Sequence, residues 1–190
     1  MSAMAHSVLE RAPERFSLAA LSMGGHVAME MLRQAPQRIE RLALIDTRAS
    51  IDSPDRLKSR EGDEVLLREH GLSALIAQFP SRWLLAKHAT QSDLRQKVID
   101  MAHDVGIEVR EQQRQALVNR IDSRASLSQV TCPTLVMCGE DDQPNPVWMH
   151  QEMTKLIPGA HLRVLAECGH LSPIEQPEEV SNALREWMHW

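Results

Sequence analysis

The chain has no CxxC pair, no glycine-rich phosphate loop and no surplus of basic residues, and each absence removes a class of function. Cys132, Cys138 and Cys168 are odd in number and widely spaced, which offers neither a metal site nor a disulfide framework and reads as three free thiols. Lys and Arg number 21 against 26 Asp and Glu, a formal charge of -5. Scattered cations on an acidic chain give no field for a phosphate backbone, so nucleic acid is not an expected partner. With no dinucleotide or phosphate motif, no cofactor is expected either. No apolar run approaches the roughly 20 residues that a bilayer span needs, and Met1 to Arg11 lacks the apolar stretch of a secretory signal. A cytoplasmic protein without membrane attachment is expected. Tyrosine is missing, yet 43% hydrophobic and 25% charged residues are the composition of an ordinary globular domain, which excludes disordered and fibrous classes.

What is present is an alternation of β-rich runs with helical patterns, the signature of a parallel βαβ sheet covered by helices. Four runs read as strands buried on both faces: Phe16 to Leu21, Leu42 to Asp46, Thr134 to Cys138 and His161 to Leu165. Val27, Ala28, Met31 and Leu32 recur at helical spacing until Pro36, and Met149, Met153, Leu156 and Ile157 form a second stripe, with Asn145 and Pro146 as its expected cap and first turn. Val180, Leu184, Trp187 and Met188 mark a closing amphipathic helix. Between the second and third runs, Ile51 to Ile121 is charged and patterned in helical stretches, such as Val65 to His70 and Ser92 to Ala102. The expected organisation is therefore a core built from 1–50 and 122–190, interrupted by a helical cap over 51–121.

Chemistry begins at Ala20-Leu21-Ser22-Met23-Gly24-Gly25, where a strand turns sharply into a helix. Such a turn lifts a serine hydroxyl clear of the sheet, and the small neighbours Ala20 and Gly24 let the backbones approach. The helix that follows aims amides at the site, with the N–H of Met23 placed for a developing oxyanion. A serine nucleophile needs a base, and the base needs an orienting acid. Gly139-Glu140-Asp141-Asp142 follows the third strand and Gly169-His170 the fourth, at the sheet end where open α/β folds place their functional loops.

These segments resemble the α/β-hydrolase family. Phe16 to Ala28 is similar to its nucleophile elbow, with Ala20 where glycine is commonest. Cys132 to Asp142 is similar to its acid loop, and Cys168 to Glu178 to its histidine loop and last helix. The resemblance implies Ser22 as nucleophile, Asp142 as acid and His170 as base, in the family's chain order. Its four strands ahead of the elbow have no counterpart before Phe16, so the elbow strand is expected at a sheet edge, available for pairing with another copy. Met4 to Ala12 reads as the helix that enters the elbow strand.

Competing candidates stay open. Asp141 rivals Asp142 through loop register. Asp46, at the end of the second strand, is an alternative acid, with a turn or capping role the plainer reading. Glu140, Asp141 and Asp142 lack further ligands at metal-binding spacing. His26 either lines the pocket or is a partly exposed helix residue, and His6, His70, His88, His103, His150, His161 and His189 have no constellation around them. Phe79, Trp83, Leu84 and Leu85 either line a substrate pocket or form the core of the cap. The expected activity is hydrolysis of an ester, thioester or lactone of a small molecule, in the manner of esterases and enol-lactone hydrolases. The alternatives are a non-catalytic remnant or interaction module of the same fold, and lyase or C–C hydrolase chemistry on the same residues.

Overall fold

Residues 1–190 are described by a computed structural model, in which the four β-rich runs form one parallel sheet. Strands β1 (Phe16–Leu21), β2 (Ile39–Ile45), β3 (Thr134–Gly139) and β4 (His161–Leu165) lie side by side in the order β1-β2-β3-β4. Around them run α1 (Ser2–Arg11), α2 (Met23–Gln34), α3 (Pro54–Ile76), α4 (Phe79–Trp83), α5 (Ala86–Ala89), α6 (Ser92–Val118), α7 (Arg124–Leu127), α8 (Val147–Leu156), α9 (Ser172–Glu175) and α10 (Pro177–Trp187). The expected α/β class and parallel sheet are borne out. β2 starts three residues earlier than its apolar run because Ile39 pairs with Phe16 across a register irregularity, and it ends before Asp46, whose φ of 48° leaves the ladder.

Alternation along the strands divides the core. Leu42, Leu44 and Val136 face one side, with Ala5 and Leu9 of α1, Met29 and Met31 of α2 and Met153 of α8. Ala43, Ile45, Leu135 and Met137 face the other, with Val180, Ala183 and Trp187 of α10. Helices on both faces explain why the strand sequences are continuously apolar. β1 pairs only with β2 and forms an edge, as expected.

The segment between β2 and β3 is helical, with α3 and α6 each broken at a glycine of positive φ, Gly71 and Gly106. Its own small core joins Leu84 and Val98 to Leu171 of the sheet domain, with Phe79 and Trp83 packed against them. No helix of the chain is long and apolar enough to cross a membrane.

One local expectation fails. α8 begins at Val147, with Pro146 extended as its cap rather than its first turn. Asn145 is otherwise engaged: its amide donates to Asp142 Oδ1 at 2.8 Å and its side chain donates to the Asp46 carbonyl at 2.8 Å.

Candidate active site

Ser22 is the junction of β1 and α2, and its φ of 48° and ψ of -112° place a non-glycine residue in a sparsely populated conformation. Such geometry costs about 1–3 kcal/mol and persists only where surroundings impose it. Here the Ser22 amide donates to the Ile45 carbonyl at 2.8 Å, and the Ser22 carbonyl accepts from the Gly25 amide at 3.0 Å and the Thr47 hydroxyl at 2.7 Å. Thr47 packs so closely on α2 that a Cβ at Gly25 would stand 2.4 Å from its Oγ1, so only glycine fits there. Met23 is the first residue of α2, whose amide has no partner within the helix.

Ser22 Oγ lies 2.8 Å from His170 Nε2, and His170 Nδ1 lies 2.9 Å from each oxygen of Asp142. The three side chains come from loops 148 and 28 residues apart in sequence. Asp142 and His170 are buried, and Ser22 is half-buried. Asp141 faces outward, its amide held by the Cys168 carbonyl at 2.9 Å, while its neighbour Asp142 meets the imidazole.

The histidine loop is fixed from three sides. The His170 amide donates to the Trp83 carbonyl at 2.7 Å, and a Cβ at Gly169 would come within 2.6 Å of the Leu85 nitrogen, so the loop runs backbone-to-backbone under the helical segment. Glu175, buried on α9, accepts the amides of Gly169 (3.0 Å) and Leu171 (3.3 Å) on Oε1, and on Oε2 the Leu85 amide (2.7 Å) and His88 Nδ1–H (2.8 Å).

Asp46, just past the end of β2, is fully buried. Its Oδ1 accepts the Gly139 amide at 3.2 Å and its Oδ2 the Ser172 amide at 2.9 Å, tying the acid loop to the histidine loop. Burial raises its pKa to about 7, opposed by the nearby His170 and by the Ser172 bond. It touches neither Ser22 nor the His170 ring by any hydrogen bond.

His26, expected either to line the pocket or to be partly exposed, is buried away from the cavity of about 540 Å³ described below, and several histidines expected to stand alone have partners. His26 is buried beside Arg120, Arg48 and Asp52, and burial first, then those arginines, lower its pKa to about 3. His150 is fully buried, accepts the Thr47 amide on Nε2 at 3.0 Å, and is lowered by burial to about 4. His88 pairs with Glu175, and exposed His6 with Glu10. These partnerships span up to 103 residues of sequence, so no local motif could have announced them. Cys138 and Cys168 are buried and Cys132 is half-buried, all free; burial pushes each thiol up, Cys138 to about 12. No group of three His, Cys, Asp or Glu side chains is arranged to hold a metal.

A cavity of about 540 Å³ lies among the helices of the segment between β2 and β3, bounded by the stacked rings of Phe79 and Trp83 (centroids 4.3 Å apart), by arginines of α3, α4 and α6, and by Gln143 and Pro144, which follow Asp142 in sequence; none of the side chains of Ser22, Asp142 and His170 lines it. Phe79 and Trp83 are thus both wall and core, whereas Leu84 is core.

Comparison with known proteins agrees with this architecture. The sequence pattern of the alpha/beta hydrolase family matches residues 2–183. A Yersinia enterocolitica protein bearing the name carbamate hydrolase RutD is 26% identical over 179 residues, 92% of this chain and 63% of its own length. A solved thermophilic esterase from Thermogutta terrifontis is 30% identical, with a TM-score of 0.77 over 93% of this chain and 65% of that one. The enol-lactonase from Burkholderia xenovorans LB400 is 25% identical, also with a TM-score of 0.77, over 93% of this chain and 66% of that one. The chain thus spans slightly less than two thirds of the length of these relatives.

Proposed function

Because the chain belongs to the alpha/beta hydrolase family, we propose that it is a cytoplasmic serine hydrolase cleaving an ester, thioester or lactone bond of a small molecule, with Ser22 as nucleophile, His170 as base and Asp142 as acid. The single observation that carries this reading is the 2.8 Å contact from Ser22 Oγ to His170 Nε2, with Asp142 on the opposite ring nitrogen.

The chemistry follows from that alignment. The Ser22 hydroxyl proton passes to His170 Nε2 as Oγ attacks the substrate carbonyl. Asp142 accepts the Nδ1–H, fixes the tautomer and stabilises the imidazolium. The Met23 amide at the start of α2 donates to the oxyanion. His170 returns its proton to the leaving oxygen or sulfur, and water, deprotonated by the same imidazole, releases the acyl group from Ser22. The helical segment 51–121 acts as a cap over the core 1–50 and 122–190 and selects the substrate. The esterase and enol-lactonase similarities support the bond class.

Treatment of the purified chain with a serine-directed fluorophosphonate, beside Ser22→Ala, tests the nucleophile. Labelling is expected in the parent chain and absent in the variant. Hydrolysis of p-nitrophenyl esters is expected to fall about a thousand-fold or more in Ser22→Ala and about ten thousand-fold in Asp142→Asn. A folded chain that neither labels nor hydrolyses any ester, thioester or lactone would instead favour a non-catalytic role for this scaffold.

A further inference from the structure

The proposed triad leaves unused a dense set of arginines in the cap and at its edge. Arg48, Arg60 and Arg120 converge on the single carboxylate of Asp52. Arg82 pairs with Asp63, and Arg110 and Arg114 share Glu64 and Glu111. Arg56 lies among them with no carboxylate within 4.0 Å and no side-chain hydrogen bond. Seven guanidinium groups thus meet four carboxylates, in a chain whose formal charge is -5. A local surplus of the sign opposite to the whole molecule is not what solvation of an acidic surface requires.

The surplus faces the cavity. Arg56, Arg60, Arg82, Arg110 and Arg114 all line it, against one lining carboxylate, Asp63. Within the same cluster the Nη1 of Arg110 makes no hydrogen bond and lies 3.8 Å from Glu111 Oε2. Burial and neighbouring Arg60 lower the pKa of Arg56, the direction expected for a cation crowded by its own kind. An arginine fork matches a carboxylate or phosphate with two parallel bonds. The lining also includes the stacked rings of Phe79 and Trp83, and the Trp83 carbonyl holds the His170 amide. Apolar and cationic surface therefore line one space, and Trp83, part of that lining, also holds the loop that carries His170.

We propose that this cavity receives an anionic group of the substrate, a carboxylate or phosphate, with Arg56 as its counter-ion and Phe79 and Trp83 packing on the apolar chain that links the anion to the scissile carbonyl. The substrate is then an anionic ester, thioester or lactone. This deepens the proposed hydrolase reading and rests on it.

The test compares kcat/KM for three p-nitrophenyl esters of matched chain length, ending in a carboxylate, a phosphate or a methyl group. It also titrates the chain by calorimetry with glutarate and with inorganic phosphate, a readout that needs no turnover. The parent chain is expected to prefer an anionic ester over the neutral one. Arg56→Met is expected to lower that preference about 10- to 100-fold through KM, with partial rescue in Arg56→Lys. Arg11→Met, on α1 outside the cavity, should keep the preference. Anion binding is expected to weaken at least about ten-fold in Arg56→Met. Comparison of the carboxylate and phosphate arms identifies which anion is taken. Turnover with no anionic preference and no anion binding overturns this inference while leaving the hydrolase reading intact. Anion binding that depends on Arg56 without labelling of Ser22 overturns the hydrolase reading and, with it, the assignment of the bound anion to an ester, thioester or lactone substrate.

Discussion

Three buried side chains around the elbow and the sheet end set opposing dependences of stability on pH. His26, near 3, and His150, near 4, are held neutral chiefly by burial, whereas in the unfolded chain both titrate near 6.5. Between about 6.5 and 4 the unfolded chain therefore binds two protons that the folded chain refuses, and the stability these imidazoles contribute is lost as pH falls. Asp46 acts in the opposite sense. Raised by burial to about 7, it keeps a proton in the fold that the unfolded chain releases above about 4, so its contribution is full below that pH and lost on rising through 7. Two protons against one leave a net of one, about 1.4 kcal/mol per pH unit, and the histidines win. Urea denaturation between pH 6.5 and 4.5 should show stability falling toward acid, and His26→Gln should bring the slope close to zero. An unchanged slope would remove His26 from this balance. At this scale the three segments that bring Ser22, Asp142 and His170 together were readable from their resemblance to one family, while loop register left Asp141 open beside Asp142. The contacts of Thr47, His150 and Asp46 were not, since each lies across the fold from its partner.

Among the elements, α9 does more than its four residues suggest. Glu175 within it gathers three backbone amides and the His88 ring from two separate segments, so one carboxylate ties the histidine loop to the helical segment between β2 and β3. Glu175→Gln keeps the shape but turns an amide NH₂ toward groups that are themselves donors. Leaving buried donors unmatched costs about 1–3 kcal/mol, and His170 lies between the two amides that Glu175 Oε1 holds. A lower Tm is expected, together with a fall in kcat of about ten-fold, larger than any change in KM. Retention of both Tm and kcat would show that Glu175 does not hold the loop. The strands were legible as elements because burial on both faces leaves continuous apolar runs. Much of α3 and α6 was not, because their inward faces carry arginines toward the cavity as well as apolar residues, which blurs a helical stripe. α9 itself was hidden by Pro173, which reads as a turn.

For the whole molecule, the consequential feature is the free side of β1. That strand carries the serine at its end yet pairs with β2 alone, and Ala19 within it is exposed. An apolar edge strand is a template for another chain. Light scattering after size-exclusion chromatography, over a range of concentrations, is expected to show self-association that Ala19→Lys weakens. A monomer at every concentration would rule out pairing through this edge. The edge position was readable from the resemblance, whereas the arginine-lined cavity arises only when α3, α4 and α6 come together in space.

The bond between the His170 amide and the Trp83 carbonyl, with Gly169 pressed against Leu84 and Leu85, bears on how such a protein can change over generations. The segment proposed to choose the substrate also seats His170, the proposed base. A helical segment grafted from a relative would therefore bring a new preference and a new position for the imidazole in one step. On the proposed reading, selectivity and turnover are inherited as a linked pair, and a designer who wants to alter the first alone must leave Trp83 to Leu85 untouched.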